Sequence, residues 1–161
     1  MAASFEEMFK LYRGKVYSLA YGILQNREDA LEVTQEAFIR LFKSLPSLRG
    51  EAKLSTWLYR VVVNLCIDIQ RREAARGRVE LLPPAEPDPF QATAQRELAL
   101  RVMVALRGLP LEQRTAIILR EVEGLSYREI AKVMRCSMGT VMSRLHYARR
   151  RLREVLDEGE M

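Results

Sequence analysis

Apolar residues recur at intervals of three and four along most of this chain, and nowhere does a run alternate apolar and polar residues with period two. Positions i, i+3, i+4 and i+7 share one side of a helix, so the pattern calls for helices packed on one another and leaves no material for a sheet. The expected fold class is all-α. Phe5, Met8, Phe9, Tyr12, Val16, Leu19, Ala20, Ile23 and Leu24 make the first apolar stripe. Asn26 is a suitable N-cap, with Glu28 and Asp29 in the first turn of a second helix that turns Ala30, Val33, Ala37, Phe38, Leu41, Phe42 and Leu45 inward. Pro46 should end it. A polar stretch from Ser47 to Ser55, centred on Gly50, is expected to lead into a third helix whose inward face is Leu58, Val61, Val62, Leu65, Cys66 and Ile69.

The tract from Val79 to Gln95 breaks this rhythm. It holds Pro83, Pro84, Pro87 and Pro89, four of the chain's six prolines, together with Glu80, Glu86 and Asp88. Proline removes a backbone donor and clashes with a continuing helix, so the tract reads as an extended, acidic linker between two small helical domains, residues 1–78 and 96–161.

Beyond the linker, Leu98, Val102, Ala105, Leu106 and Leu109 restore the helical period, and Pro110 opens a further helix ending near Gly124. Ser126-Tyr127-Arg128-Glu129 has the form of a capping box, in which the serine hydroxyl and the glutamate carboxylate each satisfy an orphan backbone N–H. It opens a short helix with Ile130, Ala131 and Val133 inward, Met134 to Ser137 turn the chain, and a last helix buries Val141, Leu145, Ala148, Leu152 and Val155. Two helices joined by so short a turn have helix-turn-helix spacing. From Met138 to Arg153 the last helix carries Arg144, His146, Arg149, Arg150, Arg151 and Arg153 and no acid, so phosphates can approach it without repulsion. Met142, Ser143, His146, Tyr147 and Arg150 fall on its exposed side, with Gly139 and Thr140 in the first turn.

A net charge of +5 agrees with a polyanionic partner. The N-terminus lacks the basic and apolar regions of a secretory signal, no apolar run approaches the roughly 20 residues needed to span a bilayer, and the expected location is the cytoplasm. Cys66 and Cys136 sit in apolar-periodic segments without a second thiol or histidine nearby, so buried free thiols are expected and no metal site. No nucleophile and base pair and no glycine-rich phosphate loop is present; an enzyme and a cofactor are not expected.

Two outer faces in the N-terminal half stand out, although charges at this spacing are usually a solvated face with intrahelical ion pairs and aromatic residues at this spacing are more often core. The second helix presents Glu32, Gln35, Glu36, Arg40 and Lys43 outward. The third presents Trp57, Tyr59 and Arg60 near its start and Asn64, Asp68, Arg71 and Arg72 down one side, a mixture of stacking groups, an amide and cations suited to unstacked single strands.

In this order, DALEVTQEAFIRLFKSLPSLRG, STWLYRVVVNLCIDIQRR and LPLEQRTAIILREVEGLSYREIAKVMRCSMGTVMSRLHYARRRLRE closely resemble ECF sigma factors, the promoter-recognition subunits of bacterial RNA polymerase. The resemblance implies that Glu32, Gln35, Glu36 and Arg40 dock on the clamp helices of the polymerase largest subunit, with a second contact at the flap region. It implies that the stretch with Arg49, Gly50, Lys53 and Ser55, followed by Trp57, Arg60, Asn64, Asp68, Arg71 and Arg72, captures unpaired bases of the minus-ten element. Thr140, Met142, Ser143, Arg144, His146, Tyr147 and Arg150 would read the minus-thirty-five element, and an anti-sigma factor is the implied restraining partner. The chain departs from the family pattern at Met142, where a basic residue commonly follows GTV, and at Tyr147, where a cation is common. The competing reading is a helix-turn-helix regulator that binds duplex DNA as a dimer, which leaves the N-terminal faces without a use.

Overall fold

The computed structural model describes residues 4–48, 51–77 and 93–158, the side chains of 51–53, 93 and 158 excepted. Among them are seven α-helices: α1 (Phe5–Leu24), α2 (Arg27–Ser44), α3 (Glu51–Ala75), α4 (Thr93–Arg107), α5 (Leu111–Glu121), α6 (Tyr127–Met134) and α7 (Met138–Glu158), with one 3-10 turn, Leu45–Ser47, after α2. No strand occurs among the described residues, so the class is all-α, as the periodicity implied.

Local chemistry fixes the helix ends. The Ser4 hydroxyl accepts from the Glu7 N–H at 3.2 Å, and Asn26 Oδ1 accepts from the Asp29 N–H at 2.9 Å. Between α1 and α2, Gln25 takes a left-handed conformation, φ +52°, and its N–H closes α1 on the Tyr21 carbonyl at 2.7 Å. The reversal is therefore tight, and α1 and α2 pack together with α3 lying against both.

Two boundaries and two side-chain orientations differ from the sequence reading. The third helix begins at Glu51, so Lys53 and Ser55 are helical instead of belonging to a loop, while Arg49 and Gly50 lie outside the described residues. α4 begins at Thr93, which takes the last three residues of the 79–95 tract into a helix; the rest of that tract is outside the described residues. Phe42, expected inward, is 65% exposed, because the buried stripe of α2 is the narrower set Ala30, Val33, Ala37, Phe38 and Leu41. Tyr59, expected on the outer face of α3, is buried by the C-terminal half.

The two halves meet in one continuous core, with α1 against α5 and α3 against α6. At Gly22 the approach is so close that an added Cβ would stand 3.0 Å from Ile118 Cδ1. Gln25, itself buried, donates to the Met103 carbonyl at 2.8 Å and accepts from Arg107 Nε at 3.0 Å. Arg114 on α5 reaches furthest: its guanidinium donates to the carbonyls of Ile23 (2.6 Å), Leu106 (2.9 Å), Arg107 (3.2 Å) and Leu109 (3.1 Å). Burial, and the Arg107 charge beside it, lower its pKa from the usual arginine range.

Only a planar fork of N–H donors can serve four carbonyls spread over two helix ends, whereas a lysine ammonium offers three donors from one point. Arg114→Lys should therefore cost about 2–3 kcal/mol, since hydrogen bonds from a charged group are worth about 1.5–3 kcal/mol. Urea unfolding checks this, and an unchanged midpoint would contradict it.

Candidate nucleic-acid interface

The long helix α3 divides by face. Leu54, Leu58, Tyr59, Val62, Val63 and Cys66 are buried, and burial pushes the Cys66 thiol above its ordinary range, which makes it an inert part of the core. On the other side Trp57, Arg60, Asn64, Asp68, Arg71 and Arg72 follow at three- and four-residue steps and so form one line along the helix. Asn64, Asp68, Arg71 and Arg72 are exposed, as the sequence suggested. Trp57 and Arg60 are half-buried. With Leu48, Ser55, Thr56, Glu129 and Lys132 they line a pocket of about 500 Å³.

This pocket lies between the halves, which periodicity could not reveal. Arg60 donates through Nε (3.2 Å) and Nη2 (2.8 Å) to the Lys132 carbonyl near the C-terminal end of α6. One residue earlier, the Tyr59 hydroxyl donates to Glu123 Oε2 at 3.1 Å. The tyrosine expected to stack on single strands thus serves the contact between halves. Burial first, then the Glu123 carboxylate, raises the Tyr59 pKa; burial raises that of Glu123, with the Tyr59 hydrogen bond and Lys15 opposing.

In the C-terminal half both arms of the capping box are made: Ser126 N–H to Glu129 Oε1 at 3.0 Å and Glu129 N–H to Ser126 Oγ at 3.1 Å. α6 buries Ile130 and Val133, Arg135 turns the chain at φ +54°, and Ser137 Oγ accepts from the Thr140 N–H at 3.1 Å where α7 begins. α7 then buries Val141, Leu145 and Ala148, which fixes its opposite side toward solvent. Met142, Ser143, His146, Tyr147 and Arg150 are exposed there, as expected, and Thr140 is half-buried. Arg144, at the edge of that surface, is half-buried. Its Nη1 turns back to Met134 Sδ at 3.9 Å and Cys136 Sγ at 3.7 Å, because its position falls on the flank of α7 that faces the turn. Cys136 is half-buried there. Arg149 is also engaged, donating to the Tyr127 hydroxyl (3.3 Å) and to Glu121 (3.0 Å), whose hydrogen bonds raise its pKa.

On α2, Glu32, Gln35 and Arg40 are exposed and Glu36 half-buried, with Arg40 Nε 3.0 Å from Glu36 Oε1. Beside them is a feature that sequence reasoning missed. Phe5, Phe9, Phe38, Ile39 and Phe42 line an apolar groove of about 360 Å³ that Gln35 and Lys43 border. Ile39, 45% exposed, and Phe42 fall outside the stripe that the rest of α2 buries, which was the available signal.

Comparison with known proteins gives two family models in register with the two halves. Residues 8–76 match Sigma-70 region 2, and residues 99–152 match Sigma-70, region 4. The ECF RNA polymerase sigma factor SigE of Mycolicibacterium smegmatis is 39% identical over 160 residues, covering 95% of this chain, which spans 62% of that relative's length. SigW of Bacillus subtilis, another ECF RNA polymerase sigma factor, is 32% identical over 166 residues, 95% of this chain and 89% of its own length. Among solved structures, the sigma factor RpoE of Bartonella quintana, in complex with the anti-sigma factor NepR, has the same fold, with a TM-score of 0.81 at 23% identity over 95% of this chain and 96% of that one.

The raised Glu123 pKa sets the sign of a pH effect. The folded chain holds that proton more tightly than the unfolded chain, so the stabilisation is complete below the ordinary glutamate pKa and is lost as pH rises through the raised value. Glu123→Gln keeps an acceptor for the Tyr59 hydroxyl without the half-buried charge. Its thermal midpoint should match the parent's at about pH 4 and exceed it at about pH 8; a difference that does not change with pH would contradict the assignment.

Proposed function

This chain belongs to the ECF sigma factors of bacterial RNA polymerase, and from that membership we propose that it binds core polymerase, directs it to specific promoters and favours their opening. The observation that carries the reading is the pairing, in one chain, of a helix-turn-helix in α6 and α7 with the line of Trp57, Arg60, Asn64 and basic residues along α3. A helix-turn-helix reads duplex, whereas an aromatic ring, an amide and cations in a row suit single strands. Only a protein that acts where duplex gives way to unpaired DNA needs both. A dimeric duplex-binding regulator has no use for the second.

The labour divides along the chain. Residues 1–78 form the unit for polymerase docking and minus-ten capture, 79–95 tether it, and 96–161 grip the minus-thirty-five element. Extruding a base costs a few kcal/mol, which stacking and hydrogen bonds in a pocket offset. Asn64 can both donate and accept, so it suits an exposed Watson–Crick edge. Arg60 already gives two N–H groups to the Lys132 carbonyl, so its use on DNA requires α6 to move away. Polymerase supplies that separation by holding the two units apart, with the tether keeping their effective concentration high.

Polymerase docks on α2 through Glu32, Gln35, Glu36 and Arg40, and an anti-sigma factor is the restraining partner; the complex of the Bartonella quintana fold relative supports this second part. The site of action is the cytosol, where polymerase meets the chromosome.

Reversing Glu32 and Glu36 to lysine changes charge on a face the core does not use. The double variant should keep the helical circular dichroism of the parent, lose association with core polymerase and lose promoter-dependent run-off transcription. Undiminished polymerase affinity in the folded variant would contradict the docking assignment.

A further inference from the structure

Resting on the reading of α7 as the minus-thirty-five reader, we propose that Met142, flanked by Met138 and Tyr147, selects thymine in the upstream element through its C5 methyl group, and that the element is poor in guanine. In the major groove guanine presents N7 and O6 acceptors, best read by a bidentate guanidinium or by an ammonium, while thymine presents one acceptor and a methyl group read by apolar contact. The chemistry at the exposed start of α7 therefore decides which base is preferred.

Among the described residues, no guanidinium is exposed on that surface. The exposed side chains over its first three turns are Met138, Met142, Ser143, His146 and Tyr147, with Met138 40%, Met142 50% and Tyr147 54% exposed. Met138 and Met142 are four residues apart and so lie side by side as one apolar strip, and the exposed Gly139 beside them adds no bulk. The arginine next in sequence, Arg144, is half-buried with its Nη1 turned toward the sulfurs of Met134 and Cys136, and Arg149 donates to Tyr127 and Glu121. The first exposed cation of the helix is Arg150, twelve residues past Met138 and hence about 18 Å along the axis. It is paired with Glu154 at 3.5 Å and followed by exposed Arg151 and Arg153, a set placed to meet phosphates.

Charge complementarity argues that DNA is the occupant of the strip. The same helix that exposes it carries a basic rear half without an acid until Glu154, so bringing those arginines to a phosphate backbone lays the strip into the adjoining groove. Methionine suits a methyl partner because its unbranched thioether moulds to an irregular apolar surface. The Tyr147 ring is braced edge-on by His146, centroids 5.2 Å apart at 76°, and so offers a fixed apolar edge, while Ser143 and His146 supply the polar contacts that set register.

The test uses holoenzyme assembled from core polymerase and the full chain, with promoter templates randomised in both elements and selected by run-off transcription. The selected upstream element should contain thymine and little guanine. Replacing one of its thymines by deoxyuridine, which removes only the methyl, should lower transcription roughly three- to fourfold, the worth of one buried methyl. Met142→Ala and Met142→Gln holoenzymes should be indifferent to that replacement at the position read by Met142, and Met142→Arg should select guanine there. A guanine-rich element, or a parent enzyme indifferent to deoxyuridine at every thymine, would overturn the inference while leaving the sigma reading intact. So would an upstream element with no base preference, since the strip would then face polymerase. Absence of promoter-dependent run-off on every template would bring down the sigma reading itself and the inference with it.

Discussion

One half-buried guanidinium joins what the sequence keeps apart. The last carbonyls of a helix have no partner within it and carry the negative end of the helix dipole. Ile23 lies in the last turn of α1 and Leu106 and Arg107 in the last turn of α4, and Arg114 answers all three as well as Leu109. A cation from α5 therefore neutralises two helix ends from opposite halves of the chain. The Gly22 to Ile118 approach and the Gln25 hydrogen bonds occur around that joint, and α3 meets α6 in the same packing of the two halves. Arg107, also cationic, stands close enough to depress the Arg114 pKa, so two like charges are held together by the carbonyls they serve.

The joint has a functional consequence on the proposed reading. The pocket at the start of α3 is closed on one side by Glu129 and Lys132, and Arg60 spends its donors on α6. Packing of the halves and capture of an unpaired base thus compete for one surface. Among the described residues, nothing comparable covers the outer face of α2, where Glu32, Gln35 and the apolar groove stand open in the same arrangement. A partner that engages α2 meets no obstruction there, whereas DNA at α3 does, which orders the events: polymerase first, then promoter opening.

Features set by neighbours in the chain are legible in the sequence alone. Asn26 capping α2, the Ser126 and Glu129 capping box and the turn at Arg135 depend on a few consecutive residues, and each stands where the pattern puts it. The outward line from Asn64 to Arg72 is likewise legible, because helical period alone fixes which residues share a side. What the sequence hides depends on contacts across long separations. Tyr59 looks like a stacking platform because nothing local says that Glu123 will cover it, and Gln25 gives no sign of being a buried link to Met103 and Arg107. The charge of Arg144 is visible in the sequence, while its approach to the sulfurs of Met134 and Cys136 is a matter of tertiary geometry. Phe42 reads as core on hydrophobicity alone, and the core of α2 is narrower than its apolar composition.

The competition between the two halves for α3 is tested most directly by the distance between α3 and α6. Spin labels at Ala74 and Arg128, both exposed, can be introduced as cysteines after Cys136→Ser, with buried Cys66 left in place. Pulsed dipolar spectroscopy on the free chain should give one narrow distance. In the complex with core polymerase and an opened promoter, that distance should be replaced by a longer one. Persistence of the free-chain distance in a transcriptionally competent complex would contradict the claim that α6 must leave the minus-ten surface before DNA is held there.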